Sequence, residues 1–232
     1  MPRETFERDL QELEDELLTL GSRVEQAITD SVASLKERDR EEAERLVKQD
    51  RELNEKRYAL EAKALTLIAT QQPMAGDLRT IAAILSLASE LERIGDYAKG
   101  IAKINLMMGD EPLLKPLIDV PRMAEKTRDM LDRALQAFAD RDVDLARSIP
   151  SEDDEVDGLY NQVYRELLTY IISDPRTIDQ ATYLLWVAHN LERAADRVIN
   201  ICERVIFTVS GKLVEIKGGE QEEITYKNRT MA

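Results

Sequence analysis

LERIGD at residues 91–96 and LERAAD at residues 191–196 are one pattern, Leu-Glu-Arg-x-x-Asp, written twice 100 positions apart (191 − 91). The pattern does not repeat alone. ERDREEA at 37–43 matches DRDVDLA at 140–146, an offset of 103 (140 − 37). Asp50, Leu53 and Asn54 match Asp153, Val156 and Asp157 at the same offset. LTLIAT at 65–70 matches LTYIIS at 168–173, and Pro73 matches Pro175. Matches that keep their order while the offset drifts slowly mark a tandem duplication with small insertions or deletions.

Apolar residues recur at spacings of three and four almost throughout, the helical period, and sustained two-residue alternation is not evident. Breaks fall at few places. The predicted helices cover about 5–36, 39–70, 77–107, up to about 139, 142–172 and 175–209. The stretch GDEPLLKPLIDVP, with Pro112, Pro116 and Pro121, is the main non-helical connection. Helices of about 30 residues are about 45 Å long, and three joined by tight turns form an antiparallel bundle. The fold expected is all-α: six long helices in two tandem, pseudo-symmetric three-helix bundles. The first repeat is expected over 1–110 and the second over 111–212. The tail, 213–232, reads as polar and frayed.

Composition narrows the function classes. With 232 residues the chain can bury a substantial core. A formal net charge of −14 disfavours nucleic acid, whose phosphates would be repelled, and suits cations or basic partner surfaces. A single cysteine, Cys202, excludes an internal disulfide framework and a cysteine zinc cluster. The first residues are too acidic for a signal peptide, and no apolar stretch approaches the ~20 residues that span a bilayer. A cytoplasmic chain with no direct membrane insertion is the expectation.

Helical phase places the repeated acids. Around Leu91 as the centre of an apolar stripe, at 100° per residue, Glu92 lies at about 100° and Asp96 at about 140°. Glu192 and Asp196 take the same angles about Leu191. On the preceding helices Asp50 and Asn54 flank Leu53, and Asp153 and Asp157 flank Val156. Each repeat therefore carries polar pairs at i,i+4 on the shoulders of two consecutive helices. Acids so spaced repel by a few tenths of a kcal/mol unless cations or arginines neutralise them. Hard or borderline metals bound through oxygen are natural occupants. The plain alternative is a solvated acidic face. Asp plus Glu are 46 residues, so chance alone gives about nine acid-x-x-x-acid pairs. The duplicated register carries more weight than any single pair, although duplication alone could preserve it.

The remaining candidates read as structural. His189 falls beside Glu192, but the first repeat has Ser89 there, so a surface histidine is favoured over a ligand. Cys202 lies in an apolar stripe and is expected to be buried. Arg93 and Arg193 are expected to bridge to acids on a neighbouring helix. Trp186 falls on the far side of its helix from the core, which suggests a contact between bundles or subunits. No catalytic set emerges. With one histidine, a helical di-metal oxidase site built from Glu-x-x-His pairs cannot form. The expectation is a protein without turnover. A metal-dependent hydrolase or oxidase lacks an identifiable general base beyond the ligands.

QQPMAGDLR at 71–79, LERIGD, AKGIAK at 98–103, the second Leu-Glu-Arg-x-x-Asp and the ERD-x-E-x-A turn resemble the PhoU family of phosphate transport regulators. The resemblance runs from about Phe6 to Ser210. It implies cytoplasmic proteins of two three-helix bundles, often homodimers or higher oligomers. It implies negative regulation of the phosphate-starvation response, linking the ATPase subunit of a phosphate ABC transporter to a sensor histidine kinase. It also implies surface metal sites, with iron, zinc, manganese, magnesium and nickel all associated. By position, the metal ligands would be Asp50, Asn54, Glu92 and Asp96 in the first repeat. In the second they would be Asp153, Asp157, Glu192 and Asp196. Asn54 offers only a neutral oxygen, so the two sites are not expected to be equal. The competing expectation is a metal-independent helical scaffold that binds a basic protein surface through its acidic shoulders.

Overall fold

The structure, a computed structural model, describes residues 2–217 and 220–223. Its helices are α1 (Pro2–Glu37), α2 (Arg40–Gln71), α3 (Ala75–Met107), α4 (Asp119–Asp140), α5 (Val143–Ser148), α6 (Asp153–Ser173) and α7 (Ile178–Ser210).

The duplication is visible in the turns. After α1, Arg38 takes a left-handed φ of 57°, and after α4, Arg141 takes φ 56°. The next residues close both turns in the same way. Asp39 N–H donates to Ser34 O at 2.8 Å, and Asp142 N–H to Ala137 O at 2.9 Å. Each aspartate then caps the following helix: Asp39 accepts from Glu42 N–H and Asp142 from Leu145 N–H, both at 2.9 Å. Capping satisfies an otherwise orphaned helix donor. A non-glycine residue in the left-handed region costs about 1–2 kcal/mol. Both arginines are held there by their side chains. Arg38 donates to Gly109 O, and Arg141 to Phe138 O and to Glu14.

Two expectations need correction. The helix expected over 142–172 is broken into α5 and α6 by a 3-10 turn at Ile149–Glu152. Pro150 explains the break: it lacks an N–H, and its ring clashes with the carbonyl one turn back. Asp153 thereby becomes the first residue of α6. The tail is not simply frayed. Val214–Lys217 (β1) and Glu220–Glu223 (β2) pair antiparallel, with Val214 opposite Glu223. Ile216 is buried, and its N–H donates to Glu203 on α7 at 2.8 Å. Residues 224–232 lie outside the described residues.

α1, α2 and α3 pack as one bundle, and α4, α6 and α7 as the other. The bundles join through α3 against α7 and α1 against α4, which leaves α2 and α6 on opposite outer flanks. One continuous core runs through both repeats. Leu91 and Leu191 sit in it, as the phase of their stripes predicts. Each such fully buried leucine contributes about 1.5–3 kcal/mol through apolar burial. Between α3 and α7 the packing has pseudo-two-fold symmetry. Asn200 donates to Glu90 at 3.2 Å. At the equivalent crossing, Gly100 lies under the Asn190 side chain, where a Cβ would come within 3.1 Å of its amide oxygen. Position 90 thus meets 200 and position 100 meets 190. Gly95, inside the first hexapeptide, lets α3 approach α2, since a Cβ there would stand 3.3 Å from Leu53 Cδ1.

Candidate metal centre

α2 packs along α3 and α6 along α7, and the repeated acids lie along these two pairs, one edge of each bundle. The two edges treat their acids differently.

On the first edge Asp50 is buried, with 9% of its surface exposed. Its Oδ2 accepts from Asn54 Nδ2 at 3.2 Å and from Lys99 Nζ at 2.7 Å. The same ammonium donates to Asp96 Oδ1, also at 2.7 Å. Lys99 therefore bridges the acid of α2 to the acid of α3. Burial opposes its charge, but the hydrogen bonds to Asp50 and Asp96 outweigh that, and its pKa is raised. Glu92 is pushed up, first by burial and then by Asp96, with Arg57 opposing.

On the second edge Ile199 stands where the first has Lys99, three residues after the hexapeptide aspartate in each case. Ile199 carries no charge and cannot bridge these acids as Lys99 does. Asp153 Oδ1 and Glu192 Oε2 are buried and accept no hydrogen bond. Burial, then the charges of Asp157, Asp196, Glu192 and Asp154, push Asp153 up to about 7. Burial and Asp196 raise Asp157, and burial and Asp196 also raise Glu192. The partial relief is local. Arg193 donates to Asp196 at 2.9 Å. His189 Nδ1 lies 3.3 Å from Glu192 Oε2, close enough for an ion pair but outside hydrogen-bond geometry. Tyr160 packs its ring 6.3 Å from that of His189.

The structure thus brings Asp50 and Asp96 together through Lys99. It brings Asp153, Asp157, Glu192 and Asp196 into one electrostatic neighbourhood. Among the described residues, no three carboxylate, imidazole or thiol groups converge tightly enough to hold a metal ion as the side chains stand. The donor set of the second edge suits a hard cation: two buried oxygens accept no hydrogen bond, and Asp157, Asp196 and Glu192 all press on Asp153. The donor set of the first edge does not, because an ammonium already fills it.

Other expectations can be placed. His189 is a surface residue, 55% exposed. Cys202 is buried, and burial pushes its thiol up to about 12, so it is an unreactive packing residue. Trp186 is exposed at 47%. Arg193 does not reach an acid on a neighbouring helix. It bonds Asp196 one turn along α7, and across the seam it meets the Tyr97 hydroxyl. The i,i+3 geometry within one helix reaches the acid without ordering a second element. Arg93 is exposed. Sequence reasoning missed Lys99. Its signal was present as the first lysine of AKGIAK, three residues after Asp96 and therefore on the same helical face.

Comparison with known proteins follows the repeat. The PhoU domain model matches twice, over residues 17–104 and 120–205. The phosphate-specific transport system accessory protein PhoU homolog of Clostridium acetobutylicum is 36% identical over 217 residues, covering 93% of this chain and 99% of that one. The Escherichia coli K12 accessory protein PhoU is 33% identical over 216 residues, covering 93% and 90%. Among solved structures, the phosphate transport system regulatory protein PhoU of Streptococcus pneumoniae superposes with a TM-score of 0.84 at 32% identity, covering 91% of this chain and all of that one. With matches in both repeats and relatives aligned over nearly its whole length, this chain belongs to the PhoU domain family.

Proposed function

We propose that this protein is a cytoplasmic regulator of phosphate uptake and a negative regulator of the phosphate-starvation response. It acts without turnover, as an adaptor between the ATPase subunit of a phosphate ABC transporter and a sensor histidine kinase, and it works as a homodimer or higher oligomer. The observation that carries this reading is the pair of PhoU domain matches, together with relatives named as accessory proteins of phosphate-specific transport. No described helix is long and apolar enough to cross a membrane, which is consistent with action through a membrane-bound partner. Deleting the gene tests the role. Phosphate-starvation promoters should then fire in phosphate-replete medium. Continued repression would count against the regulatory reading.

The adaptor carries a metal ion, on this reading, at Asp153, Asp157, Glu192 and Asp196. The metal would neutralise acids that oppose one another and supply partners for the two orphaned oxygens. Iron, zinc, manganese, magnesium and nickel all accept such oxygen donors, and their relative availability decides among them. Elemental analysis of protein purified without chelator is the check, with Asp153→Asn/Asp157→Asn as the control that should come out empty.

One observation favours a second reading. No three-ligand group is closed among the described side chains, so the acidic edges can also serve as a metal-independent docking face for a basic protein surface. Pull-down of the transporter ATPase subunit separates the two. Capture that survives chelator but collapses with salt supports plain charge complementarity. Capture lost on chelation supports the metal.

A further inference from the structure

We infer that Lys99 is the resident cation of the first repeat, and that in this chain a metal ion is confined to the second repeat. The inference deepens the metal reading above and disagrees with the two-site pattern that the duplicated acids suggest.

The geometry is specific. Lys99 Nζ stands 2.7 Å from Asp50 on α2 and 2.7 Å from Asp96 on α3, so one charge spans both elements that would supply ligands. Its side chain is 22% exposed and that of Asp50 only 12%, so the pair is largely withdrawn from solvent screening. Asp50 Oδ2 already takes two donors, Lys99 and Asn54. Asn54 turns its amide nitrogen, not its oxygen, toward Asp50. A metal ion entering there would have to displace the ammonium and turn the asparagine amide. The other nearby cations are engaged: Arg23 faces Glu52, Arg45 bonds Glu42, and Arg57 bonds Glu61. The i,i+3 bond to Asp96 on its own helix helps fix the ammonium at this position. At the equivalent position Ile199 has no charge to offer, and there Asp153 Oδ1 accepts no hydrogen bond while Arg193 and His189 reach only Asp196 and Glu192. Duplication has thus left one unit whose two helices share an internal cation and one without it.

The test uses manganese(II) alone as the probe, with bound ion counted after dialysis. The wild type, Asp50→Asn/Asp96→Asn, Asp153→Asn/Asp157→Asn and Lys99→Met are compared, each checked for helical content. The expected result is one class of site in the wild type, kept in full by the first-repeat variant and lost in the second-repeat variant. Lys99→Met should gain a second class. Loss of wild-type manganese on mutating Asp50 and Asp96, or no added class in Lys99→Met when the wild type binds, overturns the inference. A metal-free cycle runs beside it: wild type, Lys99→Met, Asp50→Asn and the double variant, read as melting temperature. Coupling is expected, with the double variant melting higher than the two single shifts added together. If no variant binds manganese, the metal reading fails, and the cycle decides Lys99 by itself: coupling supports its role and simple additivity overturns it.

Discussion

Lys99 and Ile199 hold the same position in the two repeats, each three residues after the aspartate of its hexapeptide, yet Lys99 bridges Asp96 to Asp50 while Ile199 is half-buried against the core and leaves Asp196 to Arg193. One substitution in a duplicated unit changes what its acids require. The consequences are measurable in stability as well as in binding.

The clearest is a pH dependence of the metal-free protein. Asp153 titrates near 7 when folded, against 3.8 as a free side chain. Between those values the folded chain holds a proton that the unfolded chain has released. Its contribution is therefore full below about pH 4 and is lost as the pH rises through about 7. Asp153→Asn removes this dependence. It should match the parent at pH 4 and exceed it at pH 8 by roughly 2 kcal/mol, a figure discounted for partial solvent access. Urea melts at the two pH values, with chelator present, are the measurement; equal stability at pH 8 contradicts it.

Protons and metal compete for the same oxygens. Manganese should raise the melting temperature strongly at pH 8 and weakly at pH 5, since binding requires deprotonated carboxylates. A thermal scan with and without the ion at each pH checks this. A rise that is independent of pH would place the ion elsewhere.

The duplicated turns predict matched losses. Asp39→Ala and Asp142→Ala each remove a cap made at 2.9 Å, and each should cost about 1 kcal/mol. Chemical denaturation of the two variants and their combination gives the answer. Losses that differ by several-fold would show that the turns are alike in geometry but not in energetic role.

Asn105 has no counterpart in that symmetry. Fully buried on α3, it donates to Ser34 O at 2.9 Å and Asp39 O at 3.1 Å, and so pins the first turn to the third helix. Asn105→Ala removes both of these bonds and the Oδ1 that accepts from Arg38 Nη1, and should destabilise by about 2–3 kcal/mol, more than either cap. Denaturant titration beside the cap variants tests the order.

Much of this was legible before any coordinates. The stripes around Leu91 and Leu191 placed both leucines in the core and Glu92 and Asp96 off it, because one helical period governs both. Pairing of α2 with α3 followed from the short turn at Pro73. Pro150 was missed as a break because Asp142 to Ile172 keeps a helical apolar rhythm across it, and the rhythm outweighed the proline. The β-hairpin was missed because its strands are four residues each and richly charged, too short for alternation to show. Lys99 was missed because phase along one helix does not say which neighbour faces it. Its role depends on the distance to Asp50, across two helices.

The measurement that bears most directly on the account is complementation in a deletion strain grown with ample phosphate. A phosphate-starvation promoter is the reporter, and each chain is expressed to equal level. The wild type and Asp50→Asn/Asp96→Asn should both restore repression, while Asp153→Asn/Asp157→Asn should leave the promoter active. Full repression by the second-repeat variant would contradict the account.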